Sequence, residues 1–516
     1  MNILFITADQ WRGECLSARN HPHVKTPNLD KLAADGVLFK KHYAQAVPCG
    51  PSRACLLTGM YMQNNRSVLN GTPLDSRFTN IALEARKAGY EPTLFGYTDT
   101  TMDPRQLSPE DPVLKNYEEV LPGMWPVGVM NSNYKPWFAR LKEKGYEIPE
   151  GKAKKIFTPD VDVTGAKGKS KTFAPTKFTA EDSNTAFMID ETINYLSVQQ
   201  KDKWFVHLSF LSPHPPFIAP EPYNSQYDEA DMPMPIRRET LEQEVEQHPW
   251  LKYYINHQEK NILTFDGEFC DNISYTDQDL RQIKATYYGM MSEVDNQIGR
   301  LIDYLKDTGT YDETLIVFTS DHGEQLGDHW MFSKYGYNDQ TFYIPLIVRD
   351  PSIKANTTRG SVVDQFTESV DIMPSILDAI DLDIPHQCDG RSLLEFTRGD
   401  KPDNWRKEFH AEFDLRCAVN GEEETPPMGL SMKECTVNII SDERYKYVHF
   451  TSLPSLFFDL EKDPDEFVNL ANDPDYQGLM LKYAQKMLSW RMEHDDPGLT
   501  DYQVTTNGLL RGFRAT

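Results

Sequence analysis

The chain has 516 residues with 53 basic and 78 acidic side chains, a net charge of −25 at neutral pH. That acidity argues against a nucleic-acid or anionic-membrane surface, because the summed field repels polyanions; a small anion is still admissible in a cleft where a metal or a few local cations reverse the field. With 39% hydrophobic and 25% charged residues the chain can bury a sizeable core, as a large α/β unit with an appendage.

The first residues, Met1 to Asp9, have no basic n-region and no small-residue cleavage site, and they read as a strand over Asn2–Thr7. Further strands are predicted at Pro92–Gly96, Trp204–Leu211, Thr314–Ser320 and Ile344–Arg349. Helices are predicted at Asn28–Asp35, Arg53–Thr58, Asn80–Ala88, Ala186–Ser197, Asp279–Thr308 and Ile372–Ile380, with Gly36 and Gly89 where C-terminal glycines belong. This alternation predicts an α/β fold with a mostly parallel central sheet flanked by helices. A lysine-rich insertion over about 150–182 reads as a loop or lid on the solvated surface. The main domain then spans 1–400. A smaller C-terminal α+β subdomain follows over 401–496, with strands at Tyr445–Phe450 and Leu456–Leu460 and a helix over about 475–493. The last segment, 497–516, is too short for a core and reads as an arm that packs on another subunit. No apolar run approaches the ~18–20 residues of a membrane span. Seven cysteines (15, 49, 55, 270, 388, 417 and 435) are odd in number and unpaired in spacing, pointing to a reducing compartment, the cytoplasm.

In an open parallel sheet, ligands gather beyond the carboxyl ends of the strands. Here one strand runs into Asp9-Gln10, another into Tyr97-Thr98-Asp99, a third into Ser212-Pro213-His214 and a fourth into Asp321-His322-Gly323-Glu324. One such ending is a turn or a helix cap. Four predict a single cleft, with Asp9, Asp321 and His322 as a mixed oxygen and nitrogen site for a divalent ion. The sharpest string is Cys49-Gly50-Pro51-Ser52-Arg53-Ala54-Cys55-Leu56-Leu57-Thr58-Gly59. Pro51 and Ser52 suit a helix entry. Cys49 then lies just before an N-terminus, where the helix dipole depresses a thiol pKa and attracts an anion. From these residues alone Cys49 reads equally as a reactive thiol or a buried inert one.

C-x-P-S-R followed by L-T-G resembles the type I sulfatase motif in its cysteine form. The resemblance continues through Ile6-Thr7-Ala8-Asp9-Gln10, Thr26-Pro27-Asn28-Leu29-Asp30, Ser320-Asp321-His322-Gly323-Glu324, Gly327-Asp328-His329, Phe458-Asp459-Leu460 and Asn469-Leu470, nearly the whole chain. It implies an alkaline-phosphatase-like sandwich and an enzyme whose residue 49 is oxidised to formylglycine by a maturation enzyme that reads C-x-P-x-R. It also implies one divalent metal, calcium or manganese, held by Asp9, Asp321, His322 and the residue 49 oxygen, with Gln10 as a weaker ligand. Arg53 would then fix the aldehyde hydrate that attacks sulfur or phosphorus, Lys334 would bind a substrate oxygen, and His214 would protonate the leaving group.

Two departures bear on the substrate. Many sulfatases carry a Gly-Lys-x-His strand end, whereas this chain has Gly96-Tyr97-Thr98-Asp99, with residues 97 and 99 on one side of an extended strand. The strings Arg66–Leu74 and Phe95–Thr98 resemble the phosphonate monoester hydrolase branch, in which Asn70 and Tyr97 would contact the transferred group; Asp99 replaces a threonine of that branch. The leading expectation is hydrolysis of sulfate monoesters with overlapping action on phosphonate monoesters and phosphodiesters, all singly charged tetrahedral centres. The alternative is a primary phosphonate monoester hydrolase or phosphodiesterase. More distant are a Ser- or Thr-dependent phosphatase, against which Cys49 speaks, and a catalytically silent binding protein of the same fold. A homo-oligomer, dimer or tetramer, is expected from the C-terminal segment.

Overall fold

Alternate residues of the first strand enter two different cores. Leu4, Ile6 and Ala8 pack on one side of the central sheet and Ile3 and Phe5 on the other, so both faces are covered and the strand reads as one apolar run. Ile316 and Phe318 against Leu315 and Val317 repeat the pattern. The computed structural model describes residues 1–131, 134–150, 153–160, 169–199, 203–258, 275–418, 427–500 and 502–511.

In chain order the strands of the first part are β1 (Asn2–Ala8), β2 (Val37–Tyr43), β3 (Ala46–Val47), β4 (Pro92–Gly96), β5 (Trp125–Val129), β6 (Phe205–Phe210), β7 (Thr314–Thr319), β8 (Tyr343–Arg349) and β9 (Ser361–Glu368). All but β3 form one sheet in the order β5-β4-β6-β1-β7-β8-β2-β9. Pairing is parallel except where β8 meets β7 and β2. Helices Pro27–Ala34, Asn184–Ser197 and Asp277–Asp307 cover one face; Cys49–Thr58, Ile81–Lys87 and Ile372–Ala379 cover the other. Their starts follow from side-chain caps. Asn80 accepts from the amides of Ala82 and Leu83, and Thr276 with Asp279 closes a capping box.

A second sheet comprises β10 (Phe409–Asp414), β11 (Thr436–Ser441), β12 (Tyr445–Phe450) and β13 (Leu456–Asp459), in the order β13-β12-β11-β10-β3. Helix Gln477–Glu493 packs Tyr483 and Met487 against Ile440, Tyr447 and Phe457. The fifth strand of this sheet, β3, comes from just before Cys49 and runs parallel to β10, pairing Ala46 with Glu412 and Val47 with Phe413. The C-terminal sheet thus holds the chain that delivers residue 49.

The insertion around 150–182 is not wholly a solvated excursion. Ile156, Phe157 and Phe178 are buried in the core beneath the main sheet, and Lys169 pairs with Glu229; residues 151–152 and 161–168 of its lysine strings lie outside the described residues. The strands β14 (Tyr502–Thr505) and β15 (Gly508–Arg511) form a separate hairpin with Val504 84% exposed. Among the described residues no helix is long and apolar enough to cross a membrane.

Candidate active site

Four neighbouring parallel strands, β4, β6, β1 and β7, end side by side, and each delivers chemistry just past its carboxyl end. Asp9 follows β1, Tyr97 follows β4, His214 follows β6, and Asp321 and His322 follow β7. Helix Cys49–Thr58 points its first turn into the same space, with Cys49 as its first residue.

Asp9, Cys49, Asp321 and His322 are all buried, and their donor atoms lie within 4.8 Å of one another. His322 Nδ1 donates to the Gly323 carbonyl at 3.0 Å, which leaves the Nε2 lone pair facing the cluster, 3.2 Å from Cys49 Sγ and 3.6 Å from Asp9 Oδ1. Burial also keeps this imidazole neutral by lowering its pKa, against the field of Asp321. Burial pushes the Asp9 carboxyl up, but His214, Lys334, His322 and Arg53 outweigh it and hold it below the usual carboxylate range. Two carboxylates, a neutral imidazole and the residue 49 side chain form a donor set that fits a divalent cation.

The outer carboxylate oxygens are braced by Arg53. Its Nε donates to Asp321 Oδ2 at 2.9 Å, its Nη2 to Asp9 Oδ2 at 3.3 Å, and its Nη1 to the Tyr97 carbonyl and Ser209 Oγ. The Tyr97 ring lies 4.2 Å from the guanidinium, and its hydroxyl donates to Asp9 Oδ2. Lys334 Nζ touches three groups at once: Cys49 Sγ at 2.9 Å, Gln10 Oε1 at 3.1 Å and His214 Nε2 at 3.1 Å. His214 Nδ1 donates to the Pro215 carbonyl at 2.6 Å, so Nε2 is the ring atom that faces the reaction space. Asn70 Oδ1 accepts from the Gly50 amide at 2.8 Å. A Cβ on Gly50 would stand 3.0 Å from that oxygen, so any larger residue there would have to shift Asn70 by a few tenths of an ångström.

The structure therefore brings Asp9, Gln10, Cys49, Arg53, Asn70, Tyr97, His214, Asp321, His322 and Lys334 into one cleft. Gln10, at φ 68, donates its main-chain amide to Asp321 Oδ1 and its side-chain amide to Glu324, and its amide oxygen receives Lys334. Two expectations are corrected. The Cys49 thiol is not acidified by the helix; burial, reinforced by Asp9, raises its pKa well above the ordinary value despite Lys334. Strand alternation does not place Asp99 beside Tyr97 either, because β4 stops at Gly96 and Asp99 adopts φ 47. Its carboxyl is pushed up to about 7 by burial, with Arg53 opposing and Asp9 and Glu118 reinforcing. Ser209 and Glu324 were not singled out from the sequence. Ser209 is found only through the register that sets Thr7 opposite it, whereas Glu324 already stood in a strand-end string.

The family model described as Sulfatase matches residues 1–382, and one described as N-sulphoglucosamine sulphohydrolase, C-terminal, matches 327–493. Among curated proteins the chain is 42% identical to the multifunctional alkaline phosphatase superfamily protein PehA of Trinickia caryophylli, over 98% of each chain. It is 28% identical to an arylsulfatase of Clostridium perfringens, over 99% of this chain and 98% of that one. Among solved structures it is similar to the phosphonate monoester hydrolase of Agrobacterium radiobacter, with TM-score 0.93, 43% identity and 99% of each chain covered. A phosphonate monoester hydrolase from Silicibacter pomeroyi superimposes with TM-score 0.91 at 38% identity, over 100% of each chain. With this sheet, this cluster and a family match over most of its length, the chain belongs to the sulfatase family of the alkaline phosphatase superfamily and is a hydrolase.

Proposed function

We propose that the protein hydrolyses phosphonate monoesters and phosphodiesters first and sulfate monoesters second, reversing the order expected from the sequence. The observation that carries this reading is the pair Asn70 and Tyr97, from the two strings that resemble the phosphonate branch, now built into the residue 49 site through Gly50 and Asp9. The 42% and 43% likeness to PehA and to a phosphonate monoester hydrolase supports the same order.

A divalent cation, calcium or manganese, on Asp9, Asp321, His322 and residue 49 would supply Lewis-acid charge at the transferred group. Formylglycine made from Cys49 by a maturation enzyme would supply, as its hydrate, the attacking oxygen and a route to release the product. The chain's own residues do the rest. Arg53 fixes both metal-facing carboxylates and spends four of its five N–H groups within the protein. Lys334 has its pKa raised in the Cys49 form of the chain, with Cys49, Asp9 and Asp321 opposing the effect of burial; the Asp9 and Asp321 carboxylates remain whatever stands at position 49, and the ammonium is proposed to bind a non-bridging oxygen. With Arg53 committed, one ammonium group faces the substrate from this set, which suits a singly charged centre better than a phosphate monoester dianion. His214 Nε2 stands on the leaving-group side as proton donor. Asn70 Oδ1 is tied to the Gly50 amide, which leaves the amide nitrogen as the end of the side chain that would contact the transferred group.

The test compares 4-nitrophenyl phenylphosphonate with 4-nitrophenyl sulfate on metal-loaded protein whose residue 49 has been checked by peptide mass, where conversion removes ~18 Da. A higher kcat/KM on the phosphonate is expected; a higher value on the sulfate restores the opposite order. Turnover by fully unconverted Cys49 would remove the aldehyde from the reading. Residence in the cytoplasm is proposed from the odd number and unpaired spacing of the seven cysteines, and a homo-oligomer from the exposed apolar hairpin β14–β15.

A further inference from the structure

We propose that the lip of the cleft formed by Asp99, Tyr117 and Glu118 receives a cationic group, an ammonium carried by the departing alcohol of the substrate. This rests on the hydrolase reading above and names the class of ester it serves.

Asp99 is 8% exposed, yet among the described residues no N–H or O–H donates to its carboxylate. A buried carboxylate ordinarily accepts several hydrogen bonds, and leaving it without them is costly. Arg53 is the compensating charge that acts on it, but four of its five N–H groups are committed to Asp9, Asp321, Tyr97 and Ser209, and none donates to Asp99. The other charges facing Asp99 are acidic: Asp9 from the end of β1, Asp321 from the end of β7 and Glu118 from the segment before β5. Asp99 is close enough to the reaction centre for its field to act on the Cys49 thiol.

The neighbouring wall is built to the same purpose. Thr98 Oγ1 and the Thr100 amide both donate to the Glu119 carbonyl, and Thr101 Oγ1 donates to the Tyr117 carbonyl, so segment 98–101 is laced to segment 117–119. Glu119 spends its own carboxylate on Asn116. Tyr117, 44% exposed, hydrogen-bonds its neighbour Glu118 and lies beside Gly71, where an added Cβ would stand 3.8 Å from the tyrosine Cβ, next to the Asn70 that is tied to Gly50. A pair of carboxylates beside an aromatic face is the chemistry that recognises an ammonium. At a centre that transfers an anionic group, such a lip is repulsive unless the remainder of the ester is positive.

The experiment uses metal-loaded, aldehyde-bearing enzyme and two phenylphosphonate monoesters of equal shape, those of choline and of 3,3-dimethylbutanol, with 4-nitrophenyl phenylphosphonate as control. The choline ester is expected to have a kcat/KM about tenfold above its uncharged twin. That ratio should shrink with added salt and fall to about one in Asp99→Asn. Equal rates in the wild-type enzyme overturn the proposal without any variant, and a preference that survives in Asp99→Asn overturns the assignment to Asp99. Failure to turn over the 4-nitrophenyl control, by contrast, strikes the hydrolase reading itself, and this inference falls with it.

Discussion

His329 and Glu244 form a buried pair, Nδ1 to Oε1 at 3.0 Å. Burial alone lowers the imidazole pKa, but the Glu244 hydrogen bond and charge outweigh it and raise it above the ordinary value. A pKa raised on folding contributes stability that is fully present below the unfolded value, about 6.5, and is lost as pH rises through the folded value. Glu244→Gln should therefore cost about 3 kcal/mol near pH 6 and distinctly less at about pH 9, measured as a shift in urea midpoint. An equal cost at both would mean that the pair is neutral. His214 offers a different readout. If Nε2 protonates the departing oxygen, His214→Ala lowers kcat by about 10²–10⁴-fold for alkyl esters and far less for 4-nitrophenyl esters, whose phenolate leaves unaided. A uniform loss across leaving groups would instead assign His214 to binding.

Gly96 shows how tightly the strand ends are packed. It sits at φ 110, and an added Cβ would lie 2.0 Å from the Ser209 carbonyl on β6. Gly96→Ala should prise β4 from β6, cost about 3 kcal/mol, and lower activity beyond that, because Tyr97 and Ser209 both receive Arg53. Melting and initial rates on the same preparation check this; a stable, fully active variant would show that the strand end tolerates movement. What could be read beforehand divides along the same physical lines. β1, β4, β6 and β7 are apolar on both faces and announced themselves, whereas helix Asp277–Asp307 is predicted two residues short at its start, past the Thr276 cap. β2 carries Lys40 and Lys41 at a break in register and did not look like a central strand. Strands β10 and β11 were missed; β10 alternates Phe409, Ala411 and Phe413 with His410, Glu412 and Asp414, and all six are buried, so its polar positions hide a core strand. Within the site, the charged residues at strand ends were legible. The orientation of Asn70 toward Gly50, the Ser209 contact to Arg53 and the upward shift of the Cys49 thiol depend on what packs around each group, and no local pattern encodes that.

For the whole molecule, the hairpin β14–β15 stands apart, with Leu499 78%, Val504 84% and Leu509 53% exposed. An isolated two-stranded hairpin is marginal in water, so an apolar one implies something to lie against. If the arm lies on a second copy of the chain, as proposed, removing residues 498–516 should lower the mass read by light scattering while kcat per chain is kept; an unchanged mass would assign the arm another role. A different consequence comes from β3. Cys49 is only 4% exposed and follows a strand that is held by β10, more than 350 residues later in the chain. No modifying enzyme can grip an extended C-x-P-x-R string once that strand is paired. At synthesis rates of about 5–20 residues per second, the interval between the appearance of Cys49 and that of Phe413 is roughly 20 to 70 seconds. If Cys49 is converted as proposed, the fold sets a clock: conversion then competes with the ribosome, and faster translation should leave a larger fraction of chains sealed with a thiol inside.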